Sequence, residues 1–393
     1  MQSYPIAIIG GGAAGMLCAI ALHRAGKRVL LLEANDRVGK KLLATGNGRC
    51  NLSNTAMCAE RYNNPDFVRD ALAHHSPQDT VRLWRELGLL TRTEDTRIYP
   101  YSMRANTVLN VLLRNLTGID VHCNARVIGI QATKDGYRIA CKSGEKYVAR
   151  NVVLASGSSA TSGIDAQELF APFGHRCTSR VPAICAMDCK DLRGVSGVRM
   201  QAGLRLYGGD TLASDRQGEL LCKDDQLSGM LAFESSSAGA RATRQGKKLR
   251  GEIDFVPDLT LEELTKFLYA TQDAEDPLRG VLHSGLARLI YARCGYMPQA
   301  KLTQENARRV AAASKNYPVS LAMPASARNA QVICGGLDTT QFDVHTMQSR
   351  LRSGLWAIGE ALDVDGECGG YNLHWAWASA LAVVRAMEEV CSD

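Results

Sequence analysis

The chain has 393 residues, 46% hydrophobic and 22% charged, with 36 glycines and 11 prolines; this length suggests two or three domains, and the composition excludes disordered, collagenous and disulfide-stapled miniature classes. Forty-six Lys and Arg against 40 Asp and Glu leave a net charge of +6, small and interspersed with acids, which argues against nucleic acid or an anionic membrane as partner. The 13 cysteines are irregularly spaced without a C-x-x-C pair, no basic leader precedes the first apolar stretch, and no apolar run reaches a membrane span, so reduced thiols and a cytoplasmic protein are expected.

In chain order, residues 4–9 read as a short apolar strand, 10–15 as a glycine turn, and Met16, Leu17, Ile20, Ala21 and Leu22 as the apolar positions of a helix; residues 28–32 are a second strand. A helix that crosses between two strands makes them parallel, so the fold opens as α/β. One or two helices are expected over 65–90 and another over 108–116, followed by alternating strands over 120–132 and 137–141. Residues 151–156, NVVLAS, read as a buried strand running into the cluster GSSATSG. From about residue 181, short alternating segments predict antiparallel sheet or a small barrel. Thr260 to Glu263 open a helix, with further helices over 277–293 and 304–314. A buried strand over 355–358 and a long apolar helix over 372–389 close the chain. The organisation expected is a nucleotide-binding domain built from residues 1–180 and the later part of 323–393, with a β-rich insertion over 181–258 and a helical insertion over 259–322.

Gly10, Gly11, Gly12, Ala13, Ala14 and Gly15 fit G-x-G-x-x-G between a strand and a helix, the context that makes this pattern a dinucleotide fingerprint. Gly10 permits the tight turn, Gly12 the approach of backbone to a pyrophosphate, and Gly15 close helix packing, while the helix N-terminus offers free N–H groups to phosphate. Glu33 ends the second strand, where a carboxylate accepts ribose hydroxyls and repels a 2′-phosphate, selecting FAD or NAD over NADP as the bound nucleotide. Residues 37–54 form a polar, glycine-dense loop in which Lys41, Thr45, Gly46, Gly48, Arg49 and Asn51 suit a long cofactor; the alternative is a solvated basic turn. Before the last helix, the segment from Gly359 to Leu373 offers Glu360 or Asp365 to ribityl hydroxyls. Backbone N–H groups from Gly370 through Asn372 to Leu373 offer positive potential to a reduced flavin.

Three segments, GKKLLATGNGRCNLSN (39–54), CGGLDTTQFDVHTMQSRL (334–351) and GEALDVDGECGGYNLHWAWASALA (359–382), resemble the signatures of the bacterial HI-0933-like flavoprotein family, which includes aminoacetone oxidase-like enzymes and unsaturated 3-oxo bile-acid reductases. The resemblance spans essentially the whole chain. It implies non-covalent FAD in a glutathione-reductase-like Rossmann domain with inserted β-barrel and helical domains. It places Ala14 and its neighbours at the pyrophosphate, Glu33 at the ribose, the Val127 backbone at the adenine, Lys41 and Asn51 beside the cofactor, and Glu360, Asn372 and Leu373 near the ribityl chain and flavin ring. Two departures stand out: Ser156-Gly157-Ser158 replaces a glycine pair, leaving Gly157 as the cofactor-side glycine, and His374 replaces a glutamine.

His374 is accordingly the candidate catalytic proton donor, with polar packing as the alternative. Cys50 is either a redox thiol or, without a partner at exchange spacing, structural. Trp375 and Trp377 cannot share a helix face, so at least one is expected in the core. Arg97, Tyr99, Tyr101 and Arg104 are either an acidic-substrate site or a solvated loop. His74 and His75 lack further ligands at metal spacing, and no metal is expected. With no second glycine fingerprint, electrons come from substrate or from NADH or NADPH docking transiently. The reading is an FAD-dependent oxidoreductase moving hydride to or from a small organic substrate, by amine oxidation or C=C reduction, in an unspecified oligomeric state. The rival is a flavin-dependent RNA-modifying or non-catalytic nucleotide-binding protein.

Overall fold

The protein, seen in a computed structural model, is described over residues 2–158, 166–298 and 301–389; most of the GSSATSG cluster and Cys391 lie outside them. Two units emerge, residues 1–180 with 331–393, and residues 181–330.

In the first unit, β1 (Gln2–Ile9) pairs in parallel with β2 (Val29–Leu32), which pairs in parallel with β6 (Asp120–His122). On its other side β1 pairs in parallel with β9 (Lys146–Leu154). The far edge of β9 is shared: β8 (Gly136–Cys141) covers its start antiparallel, and β16 (Leu355–Ala357) covers its end in parallel. β7 (Val127–Thr133) completes the meander. Strands buried on both faces read as unbroken apolar runs, and Ile6, Ala7, Ile8, Ile9, Leu30, Leu31, Leu32, Val152, Val153 and Leu154 are all buried. The crossover α1 (Ala13–Arg24) packs against α9 (Tyr371–Glu389), so the last helix reinforces the first.

Around this sheet stand α2 (Pro65–His74), α3 (Pro77–Leu87) and α4 (Ala105–Asn115), with a small sheet of β3 (Ser53–Asn54), β5 (Arg97–Pro100) and β4 (Thr91–Glu94). Ser76 starts α3 with a reciprocal capping box to Asp79, and Gly88 ends it in the left-handed region. The strand expected over 120–132 is split. Backbone N–H groups of Asn124 and Ala125 leave the ladder to bond the carbonyls of Asn35 and Glu33, so the chain turns between β6 and β7.

The second unit is an antiparallel sheet in the order β10 (Met187–Asp188), β13 (Gln226–Ser228), β12 (Thr211–Lys223), β11 (Arg199–Gly208), β14 (Leu249–Asp254), β15 (Tyr317–Leu321). It curls into a half-barrel whose edges meet at one antiparallel bridge, Asp188 to Ala322. The helices are α5 (Met230–Arg244), α6 (Leu261–Thr271), α7 (Ser284–Cys294) and α8 (Gln304–Lys315). Sheet and helices share one core: Leu204, Leu206 and Leu220 lie in the same apolar cluster as Leu264, Leu268, Ile290 and Val310. Sequence patterning missed α5, whose ESSSAGA stretch has no apolar stripe because Ser235, Ser236 and Ser237 are buried instead. The helix expected from 277 begins only at Ser284, where the His283 side chain accepts the Gly285 N–H.

Candidate cofactor and active site

The parallel strands β1, β2, β9 and β16 deliver Gly10, Glu33, Ala155 and Gly359 to the carboxyl edge of one sheet, where ligands bind in open α/β folds. The three fingerprint glycines differ physically. A Cβ on Gly10 would stand 2.3 Å from the Ala155 carbonyl oxygen, and one on Gly15 would stand 1.9 Å from the Gly10 oxygen. Gly12, in contrast, faces open space with nothing within 4 Å. Gly10 and Gly15 therefore close the turn against the sheet, while Gly12 leaves the helix end accessible. No side chain caps α1 and its first turn holds no acid, so the leading N–H groups at Ala13, Ala14 and Gly15 carry the positive end of the helix dipole without a side-chain cap.

Glu33 is buried at 6% exposure, with one carboxylate oxygen accepting the Gly11 N–H at 2.8 Å and the other accepting the backbone and side-chain amides of Asn35. It thus shapes the glycine turn. Val127 lies close by in the chain path, buried at the start of β7 just beyond the Ala125–Glu33 bond.

Lys41 forms an ion pair with Glu360 and donates to Ser158 Oγ at 3.1 Å, tying the long loop to the β16 end. Gly157, at φ +66°, faces the Glu360 carboxylate, which a Cβ would approach to 3.8 Å. In the same loop Gly46, Asn47, Gly48 and Cys50 all have positive φ, and Thr45 Oγ1 donates to the Leu42 carbonyl. The loop is thereby tightly coiled, with Arg37, Lys40, Asn47 and Arg49 exposed on it. Arg49 lies over the Tyr99 ring, 5.7 Å from its centroid. Cys50 is fully buried and its thiol pKa is pushed up to about 12 by burial, the behaviour of an inert structural cysteine.

The final helix holds the other side. Gly359 donates its N–H to Ser379 Oγ at 3.0 Å and its carbonyl accepts Trp375 Nε1 at 3.1 Å, so two α9 side chains clamp this peptide. Trp377 instead donates to the Leu52 carbonyl and meets Trp84 edge-on. Both tryptophans are core residues on different sides of α9. Gly370, at φ +99°, has no room for a Cβ, which would lie 2.5 Å from the Ser53 oxygen and 2.7 Å from Asn51 Oδ1. Asn51 is 8% exposed and its Oδ1 is buried without a hydrogen-bond partner.

Several expected site residues have other engagements. The Asn372 side chain accepts the Gly366 N–H and donates to its carbonyl, closing the turn before α9. Asp365 is buried, its backbone held in both directions by Asn63. Leu373 is half-buried in the first turn of α9. His374 is fully buried: Nδ1 lies 2.8 Å from Ser53 Oγ and 3.2 Å from Thr80 Oγ1, and Nε2 lies 2.9 Å from the His75 carbonyl. A carbonyl only accepts, so Nε2 carries the proton and Nδ1 accepts from a hydroxyl. Burial, reinforced by His75, lowers the His374 pKa to about 3. This environment is that of a neutral packing group, the alternative the sequence offered beside a proton donor. In the Arg97, Tyr99, Tyr101 and Arg104 stretch, Tyr99 is buried on β5, whereas Tyr101 is 64% exposed and lies under Arg92. Ser379 was missed by sequence reasoning, and Trp375 and Ser158 were noted there without these bonding roles. A lone hydroxyl in an otherwise apolar helix was the available signal for Ser379.

The donor set fits a dinucleotide extended along the strand ends: an accessible glycine at an uncapped helix N-terminus, a buried acid one strand over, and an orphaned amide oxygen beneath a second helix N-terminus. Fold and site define the class of FAD-dependent oxidoreductases with a Rossmann domain. The HI0933-like protein Rossmann domain matches residues 4–386, and the chain belongs to that family. It is 32% identical to a 3-dehydro-bile acid delta(4,6)-reductase of Clostridium scindens, over 98% of this chain and 99% of that protein. It is 27% identical to a ribosomal RNA dihydrouridine synthase of Escherichia coli, over 98% of each. Among solved structures, 3-ketosteroid delta1-dehydrogenase from Sterolibacterium denitrificans, in complex with 1,4-androstadiene-3,17-dione, shares the fold with a TM-score of 0.51 at 13% identity, over 99% of this chain and 100% of that one. No described helix is long and apolar enough to cross a membrane, and no group of His, Cys, Asp or Glu among the described residues is arranged to hold a metal.

Proposed function

We propose that this protein reduces a carbon–carbon double bond conjugated to a carbonyl, using FAD held along the carboxyl edge of the sheet. Once bound and reduced by NADH or NADPH, FAD would supply hydride to one carbon of the double bond, while the other carbon takes a proton. The observation that carries the cofactor assignment is Gly12: it alone of the three fingerprint glycines faces open space, beside helix N–H groups left without a cap. In this reading the α1 N-terminus binds the pyrophosphate and Glu33 accepts the ribose hydroxyls while holding the glycine turn. Lys41, Gly157 and Glu360 bound the central part of the cofactor, with Thr45, Gly46, Gly48 and Arg49 shaping the adjoining loop and Val127 lining the adenine end. The α9 N-terminus and Asn51 supply positive potential and amide contacts at the flavin. His374 orients α9 through Ser53, Thr80 and His75.

The choice of reduction over amine oxidation is supported by the two full-length relatives, whose names both describe saturation of a ring double bond. A small enone is the substrate class favoured by the 32% relative. A second reading, uridine within RNA, is favoured by the 27% relative. In both substrates the double bond is conjugated to a carbonyl, so one chemistry serves. The test is anaerobic: flavin bleaching by NADH and NADPH, then reoxidation by 3-oxo-4-ene steroids, by uridine-containing RNA and by amines. Reoxidation by neither enone nor RNA sinks the proposal.

A further inference from the structure

We propose that the second unit carries an RNA-docking surface on the outer side of α7 and α8, where Arg288, Arg293, Lys301, Arg308 and Arg309 hold the phosphate backbone. The inference deepens the RNA reading of the proposed function and rests on it for the choice of polyanion. Residues 277–316 contain seven Lys and Arg against one acid, Glu305, so the chain-wide near balance of charge fails here. Two of the seven are neutralised: Arg279 by Asp273, Glu275 and Asp276, and Lys315 by Asp254. The other five are exposed, and none pairs with a carboxylate among the described residues.

Packing brings α7 and α8 into contact and leaves these cations exposed. Leu286, Ala287 and Ile290 of α7 and Ala307, Val310 and Ala311 of α8 are buried in the unit's core, which turns Arg288, Arg308 and Arg309 outward. Arg309 donates to the Cys294 carbonyl at the end of α7, bringing the two basic helices into contact beside Arg293. The outer face of the half-barrel is different, because Arg199 pairs with Glu219, and Arg205 and Arg250 both pair with Glu252. Four of the five unpaired cations are guanidiniums, which bind phosphate oxygens with two parallel donors. Among the described residues, the exposed apolar side chains nearby are Met297 between the two helices and Phe267 and Tyr269 on the neighbouring α6, and two positions apart on a helix Phe267 and Tyr269 share no face, so they do not make the continuous apolar stripe an interfacial membrane helix requires.

The test is fluorescence anisotropy of a labelled RNA hairpin with the flavin-loaded full chain across a salt series. With about four phosphate contacts, binding should weaken about a hundredfold between about 50 and about 200 mM salt. Arg288→Glu with Arg308→Glu should lower affinity at least tenfold and flatten the log–log salt slope by about 2. Arg199→Glu with Arg250→Glu, on the charge-balanced sheet face, should change neither. Flavin absorbance and melting temperature report folding; should the reversal pair misfold, Arg288→Gln with Arg308→Gln carries the same expectation at half the effect. Absent binding at low salt, binding indifferent to the α7 and α8 substitutions, or binding of phosphatidylserine vesicles in place of RNA would overturn the proposal. Binding is read without turnover, so failure of the reduction assay and failure of the docking surface are separate results.

Discussion

Acidification from pH 7 to pH 5 should destabilise the first unit through two buried histidines. His75 is 3% exposed and His374 is 0% exposed, and burial lowers their pKa values from 6.5 to about 4 and about 3. Both are neutral in the fold at pH 5, whereas an unfolded chain protonates them below about pH 6.5. Their contribution is therefore complete above that value and is lost progressively as pH falls towards 4 and 3. Each histidine binds about one more proton in the unfolded state at pH 5, so the slope is about 1.4 kcal/mol per pH unit for each. Between pH 7 and pH 5 the loss is about 2 kcal/mol per histidine and about 4 kcal/mol for the pair. His374→Gln keeps a donor for the His75 carbonyl and an acceptor for Ser53, and should halve this pH dependence while leaving flavin content intact. Guanidinium unfolding at pH 7, 6 and 5, followed by tryptophan fluorescence, measures both slopes. Trp375 and Trp377 sit on the same helix and report its release. Identical slopes for the wild type and His374→Gln, or nitrogen chemical shifts showing either ring protonated at pH 5, would refute the assigned environment.

The glycines predict opposite behaviours within one motif. Gly12→Ala, with open space at its Cβ, should leave the apoprotein's melting temperature unchanged but retain FAD at least tenfold more weakly; Gly15→Ala, whose Cβ would meet the Gly10 oxygen at 1.9 Å, should lower the apoprotein's melting temperature. Equal melting temperatures for the two would contradict the packing described. Glu33→Ala leaves the N–H groups of Gly11 and Asn35 without their buried acceptor, at a cost of about 1–3 kcal/mol, and should deplete FAD on purification without unfolding the chain; full flavin occupancy would remove Glu33 from the ribose site. Gly370→Ala should perturb the flavin absorbance maximum or abolish binding, since the methyl must displace Ser53 or Asn51; an unaltered spectrum would separate Gly370 from the flavin.

Much of the first unit was legible because its signals are local. A glycine turn between an apolar run and a helical stripe defines β1, α1 and β2, and Glu33 follows from its place at the end of β2. The loop over 37–54 and the segment over 359–373 were visible as departures from apolar periodicity. A capping residue likewise marked α6, where the Thr260 side chain accepts the N–H three residues on.

What local sequence could not decide depends on neighbours far along the chain. His374 looked like a titratable group beside a flavin until the fold enclosed it with Ser53, Thr80 and His75, about three hundred positions away. α5 escaped because its buried face is built from serine, and burial of a small polar side chain has no periodic hydrophobic trace. The basic surface escaped for the complementary reason. Charge summed over the whole chain is nearly balanced, and only the packing of α7 against α8 shows which cations keep no acid beside them. Residue type and spacing determined the fingerprint, the parallel run of the two strands flanking it and the acid at the second strand's end; the protonation state of a side chain and the partners of a charge were set by tertiary enclosure, because desolvation and ion pairing act through space and not along the backbone.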